Sequence, residues 1–114
     1  MTVSYFVRYD ISALDENAFL QNYRARHVPI LARWPGMRRV VLHTRVEAKD
    51  PVAVNGGRTV LLAQLEFDDQ ESLDRALASR ERADAREDFK RFPPYEGSVT
   101  HQALASEVAW RRNA

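Results

Sequence analysis

Residues 58–67, Arg-Thr-Val-Leu-Leu-Ala-Gln-Leu-Glu-Phe, constrain the fold of this chain most. Leu61, Ala63, Leu65 and Phe67 fall on one side of an extended segment, while Val60 and Leu62 share the other with Gln64 and Glu66. A strand apolar on both faces is covered on both faces, so it belongs inside a sheet that something packs against from each side.

The segments around it supply that sheet and one of its covers. Val3 to Tyr9 alternates Val3, Tyr5, Val7 and Tyr9 against Ser4, Phe6 and Arg8, which predicts a first strand. Ser12 and Asp15 are both candidate helix caps, and Phe19, Tyr23, His27, Ile30/Leu31 and Trp34 then recur at helical spacing. Pro29 lies inside that helix and removes the amide that would bond to the Ala25 carbonyl, predicting a kink or weakened turn near His27. Pro35-Gly36 stops the helix, and Met37 to Val46 reads as a second strand. A loop from Glu47 to Gly57 follows, with turn signals at Asp50-Pro51 and Asn55-Gly56-Gly57.

After the third strand, Asp68 with Glu71 suggests a capping box opening a helix to about Ser79. A further helical stretch puts Ala85, Phe89 and Phe92 on one side, supported by Arg80–Asp84 and Glu87–Arg91 pairs on the other, until Pro93-Pro94 ends it. Ser98 to Arg111 alternates as a last strand. The expected class is therefore α+β, a ferredoxin-like βαββαβ domain spanning residues 1–114, with a four-stranded antiparallel sheet and both helices on one face. The opposite face, with Val60, Leu62, Gln64, Val41 and His43, then needs a second sheet, which a homodimer supplies.

Composition narrows the chemistry. One domain suits 114 residues, and 45% hydrophobic with 29% charged residues is the balance of a folded globular chain. Cysteine is absent, which removes disulfides and thiolate chemistry and fits a cytoplasmic location. A net charge of +1 with interspersed signs argues against nucleic acid as a partner, and no stretch has the length of an apolar membrane span. His27, His43 and His101 lack metal-ligand spacing, and Asn55-Gly56-Gly57 leads into a strand without the lysine of a phosphate loop. The chain is expected to use neither metal nor cofactor.

His27 carries the main chemical expectation. It lies four residues after Tyr23 and eight after Phe19, on the apolar side of the first helix. An imidazole buried there stays neutral near pH 7 and accepts a proton; a core histidine bonded to a backbone carbonyl is the plainer alternative. Tyr23, Trp34, Phe92 and Tyr5 are candidate walls of a ligand pocket, with Phe89, Tyr9 and Trp110 as secondary candidates, although each also serves as ordinary packing. His43 and His101 are expected on the dimer side of the sheet, away from His27. Arg38 and Arg39 read either as anion or partner contacts or as solvated charges.

The run Tyr23-Arg24-Ala25-Arg26-His27-Val28-Pro29-Ile30-Leu31, continuing to Trp34-Pro35-Gly36-Met37, resembles the Tyr-x-x-x-His-x-Pro-aliphatic…Pro-Gly-aliphatic signature of the EthD family. That family is related to methylmuconolactone isomerases and belongs to the dimeric α/β barrel superfamily. The resemblance implies a homodimer with a pocket between sheet and helices, and His27 as a proton-transfer or substrate-positioning residue. Where similar proteins often carry a tyrosine four positions past the glycine, this chain has Val40. Two functions stand open: a cofactor-independent isomerase or cyclase acting on a small cyclic or aromatic metabolite, and a non-catalytic binding or accessory protein for such a compound.

Overall fold

The computed structural model describes residues 1–52 and 58–113; the turn expected at Asn55-Gly56-Gly57 lies outside them. Strands β1 (Thr2–Ala13), β2 (Arg39–Thr44), β3 (Thr59–Phe67) and β4 (Tyr95–Ser106) form one antiparallel sheet in the order β2-β3-β1-β4. The order is the ferredoxin-like one, in which β1 and β3 fill the centre. Tyr9, Leu61, Ala63, Leu65 and Phe67 are fully buried under the helices, as the two-sided apolar pattern of residues 58–67 requires.

Pairing with a neighbouring strand, more than alternation, sets the length of each strand. β1 runs on to Ala13 because β4 pairs with it along its whole length, down to Ala13 opposite Tyr95. β4 therefore begins at Tyr95, three residues before the expected Ser98, and ends at Ser106; Trp110 lies beyond it, 72% exposed. Gly97 occurs where β4 crosses Ile11 with φ +130 and a backbone so close that a Cβ would meet the Asp10 carbonyl at 2.3 Å. β2 is shorter than Met37 to Val46, covering Arg39–Thr44.

Asp15, rather than Ser12, caps the first helix: Ala18 N–H donates to its carboxylate at 3.0 Å. Helix α1 (Glu16–Asn22) passes into a π-helical turn at Tyr23–His27 and then into α2 (Val28–Leu31). The Val28 amide donates to the Tyr23 carbonyl five residues back. This is the weakened turn that Pro29 predicts, with a defined form: a proline ring clashes with the carbonyl four residues earlier, and widening that turn by one residue relieves the clash. The helix ends at Leu31, short of the expected Trp34, and 3₁₀-type bonds from Arg33 to Ile30 and Trp34 to Leu31 lead into Gly36, whose φ of +77 makes the stop.

Helix α3 (Gln70–Leu77) is capped by Asp69, which accepts from Ser72 N–H at 2.8 Å, and not by Asp68. Asp68 instead takes a two-pronged hydrogen bond from Arg38, at 3.0 and 2.8 Å. Arg39 pairs with Glu66, so both arginines are engaged within the chain. Helix α4 (Arg80–Asp88), capped by Ser79, ends in a 3₁₀ turn at Phe89–Arg91. Its charge pairs differ from those expected: Glu87 accepts from Lys90, and Arg91 stands 3.8 Å from Asp88. No helix among the described residues is long and apolar enough to cross a membrane.

Candidate functional site

Three pieces of chain bring the site together under the sheet. The π turn contributes Tyr23 and His27, α2 and the turn after it Leu31 and Trp34, and α4 with its 3₁₀ extension Ala85, Asp88 and Phe89. Tyr23, His27 and Leu31 repeat every four residues, so each side chain lies over the turn before it and all three enter the core.

His27 is 2% exposed, and its Nδ1 lies 2.9 Å from Oδ2 of Asp88, itself 4% exposed. With the carboxylate as acceptor, Nδ1 carries the proton and Nε2 keeps the lone pair. Burial pushes the imidazole below the ordinary histidine range, and the Asp88 hydrogen bond and charge oppose that shift without cancelling it. The ring is thus neutral, orientated and available as a proton acceptor. Its partner is a carboxylate rather than the backbone carbonyl of a plain core histidine.

Aromatic rings fix the imidazole. Tyr23 stands 4.8 Å away between ring centres, Phe89 5.4 Å at a shallow tilt, and Phe92 4.8 Å edge-on at 87°. Phe92 also meets Phe19, Tyr23 and Phe89. It acts as a wall behind His27 and is not among the residues lining the cavity on the other side.

That cavity lies between sheet and helices, bounded by Tyr5, Tyr9, Tyr23, His27, Trp34 and Leu65, with Arg82, Arg86 and His101 at its outer end. Its empty space totals about 340 Å³ counted out to the surface, most of it too narrow for a water molecule. As it stands the cavity therefore admits about one small polar group. Trp34 Nε1 borders it as a buried donor without a partner among the described residues, and the Tyr9 hydroxyl is buried there with that of Tyr23 as its one polar neighbour among the described residues, short of a well-formed hydrogen bond. Desolvation raises the Tyr9 and Tyr23 phenols far above the ordinary tyrosine range, so both remain protonated.

Of the residues singled out in the sequence, Tyr5, Tyr23, His27 and Trp34 converge on this cavity, with Tyr9 and Phe89. Trp110 does not approach it. His101 reverses its expected placement: it pairs with Val7 on β1, whose side chain is buried on the helix side, and its ring lies 5.6 Å from that of Tyr5. His43 does face the other side, against Gln64. Val40 and Tyr5 flank Leu65 from opposite sides in one rung of the sheet, so a phenol reaches this level of the cavity from β1, not β2. The sequence alone does not single out Asp88. Its signal is positional, since it sits three residues after Ala85 and four before Phe92 on the buried side of α4.

No protein-family model matches the chain, and neither does any curated protein. Solved structures do. An EthD-family protein from Bacillus halodurans C-125 superposes with a TM-score of 0.75 at 23% identity, over 94% of this chain and 100% of that one. An EthD-like protein from Ralstonia eutropha JMP134 gives 0.65 at 19%, over 97% and 95%. SnoaB, a cofactor-independent oxygenase from Streptomyces nogalater, gives 0.60 at 16%, over 95% of each chain. At such identities the likeness is one of fold: this chain has the ferredoxin-like α+β architecture shared by proteins of the EthD type and by SnoaB.

Proposed function

We propose that this chain binds a small cyclic or aromatic compound between sheet and helices and that His27 moves a proton on it without a cofactor, in an isomerisation or cyclisation. The observation that carries the reading is the buried His27–Asp88 pair beside a cavity lined by aromatic rings. In the step proposed, Nε2 takes a proton from a carbon next to a carbonyl, and the C–H electron pair moves into the carbonyl to give an enolate. The proton then returns at a different position. Asp88 is a positioning residue that holds the Nδ1–H tautomer and stabilises the transient imidazolium, while Trp34 Nε1, unpartnered among the described residues, is the donor available to the enolate oxygen.

The decisive experiment follows solvent deuterium into small lactones and aromatic ketones that raise the melting temperature of the protein. Wild type should exchange the acidic protons of such a ligand and His27→Ala should not. Full exchange by the variant removes His27 from the chemistry, and stabilisation without any exchange favours the accessory, purely binding role.

The same reading includes a twofold dimer in a cysteine-free cytoplasmic protein. Its support is the sheet face turned away from the helices, where Phe6 and Leu62 are half-buried and Leu104 is 44% exposed, and the mostly exposed strand β4. Sedimentation equilibrium should return twice the 13.1 kDa chain mass; a monomer at tens of micromolar would dismiss the dimer.

A further inference from the structure

The outer end of the cavity is basic, and its charges are uncompensated. Arg82 and Arg86 stand one turn apart on α4, and both border the cavity, as does His101 from β4. Like charges at this spacing destabilise a helix. The positions three and four residues from Arg82 hold Ala78, Ser79, Ala85 and Arg86, and those from Arg86 hold Arg82, Ala83, Phe89 and Lys90. None is acidic, although Glu81, Asp84, Glu87 and Asp88 belong to the same helix. Neither guanidinium enters an ion pair among the described residues. Among the described residues their one hydrogen bond runs from Arg82 Nη1 to the Leu77 carbonyl, at 3.5 Å.

His101 reports the proximity of both. Burial, then the charges of Arg82 and Arg86, push its imidazole below the ordinary histidine range. At neutral pH it is therefore a hydrogen-bonding rim residue, while the two arginines carry the charge. Asp88, two residues past Arg86, is turned inward to His27.

We propose that Arg82 and Arg86 form an anion subsite at the mouth of the cavity, so that the compound bound there is a carboxylate whose ring lies toward His27. The proposal rests on the ligand-binding reading above and adds the charge of the ligand and its direction of approach. Guanidinium forks match a carboxylate in geometry and charge. The cavity as it stands is too narrow for a ring, so a ring enters only as side chains bordering it shift.

Benzoate and its neutral counterpart benzamide are suitable probes, titrated against isotope-labelled protein with the His27 and His101 ring resonances as readout. Wild type should bind benzoate at least tenfold more tightly than benzamide. Arg86→Gln, an exposed change that leaves the core untouched, should weaken benzoate about tenfold, the scale of one lost charge-assisted contact, and leave benzamide unchanged. Arg82→Gln should do the same, and the double variant should equalise the two probes. Equal affinities of wild type for both probes overturn the anion subsite alone and leave the pocket standing. Binding of neither overturns the subsite and the ligand-binding reading together. Arginine-dependent benzoate binding by a protein inactive in deuterium exchange supports the subsite and refutes only the catalytic role of His27.

Discussion

Replacing Asp88 by alanine strands the Nδ1–H of an imidazole that is 2% exposed. An unsatisfied buried donor costs about 1–3 kcal/mol. Taking about 2 kcal/mol, and about 4 °C per kcal/mol for a domain of this size, Asp88→Ala should melt about 8 °C below wild type. Asp88→Asn keeps an acceptor of the same shape but loses the charge, and neutral hydrogen bonds are roughly half as strong as charge-assisted ones; its loss should be about 1 kcal/mol. The double variant His27→Leu/Asp88→Val removes both polar groups at similar volume. Because a buried polar pair returns little net stability over an apolar one, it should lie within about 1 kcal/mol of wild type. Urea titrations at pH 7, checked for a common slope, measure all three. The reasoning fails if Asp88→Ala stays within about 0.5 kcal/mol of wild type, or if the double variant loses as much as its component changes His27→Leu and Asp88→Val, measured singly, combined. In the first case the carboxylate does not support the ring; in the second the two groups are not coupled.

Two further outcomes follow from the structure. The folded state holds the His27 pKa below its unfolded value near about 6.5, so the unfolded chain binds the proton first. The stability due to His27 is then complete above that pH and is lost as pH falls toward the folded pKa. Urea midpoints measured from pH 7.5 down to about pH 5 should decline more steeply for wild type than for His27→Leu, and parallel curves would contradict a depressed pKa. Gly97→Ala should cost about 2–4 kcal/mol, because positive φ and a Cβ placed 2.3 Å from the Asp10 carbonyl act together; a melting temperature unchanged from wild type would mean that the strands part easily there.

The architecture was legible because its signals are local. Alternation in β1 and β3, the Phe19–Tyr23–His27 spacing and the Pro35-Gly36 stop each state a backbone conformation within a few residues. Pro29 even marked the turn that becomes π-helical. What stayed hidden depended on register and on partners distant in sequence. Parity within β4 groups Val99, His101 and Ala103, but only the pairing of His101 with Val7 decides which face they take. Asp88 lies 61 residues from His27, in a run of charges where a solvated helix face is the ordinary expectation. The choice between Asp68 and Asp69 as cap turned on Arg38, which claims the first of them from across the sheet edge.

The π-helical turn bears on how this chain is lined up with others. Such a turn amounts to a helix that has absorbed one additional residue while both of its ends stay anchored. A relative whose corresponding helix is regular reaches the same histidine one position sooner, and an alignment that forbids gaps within helices sets His27 against the wrong neighbour. Superposing backbones on Phe19 before the insertion and Leu31 after it places the gap inside 23–27 and restores the correspondence.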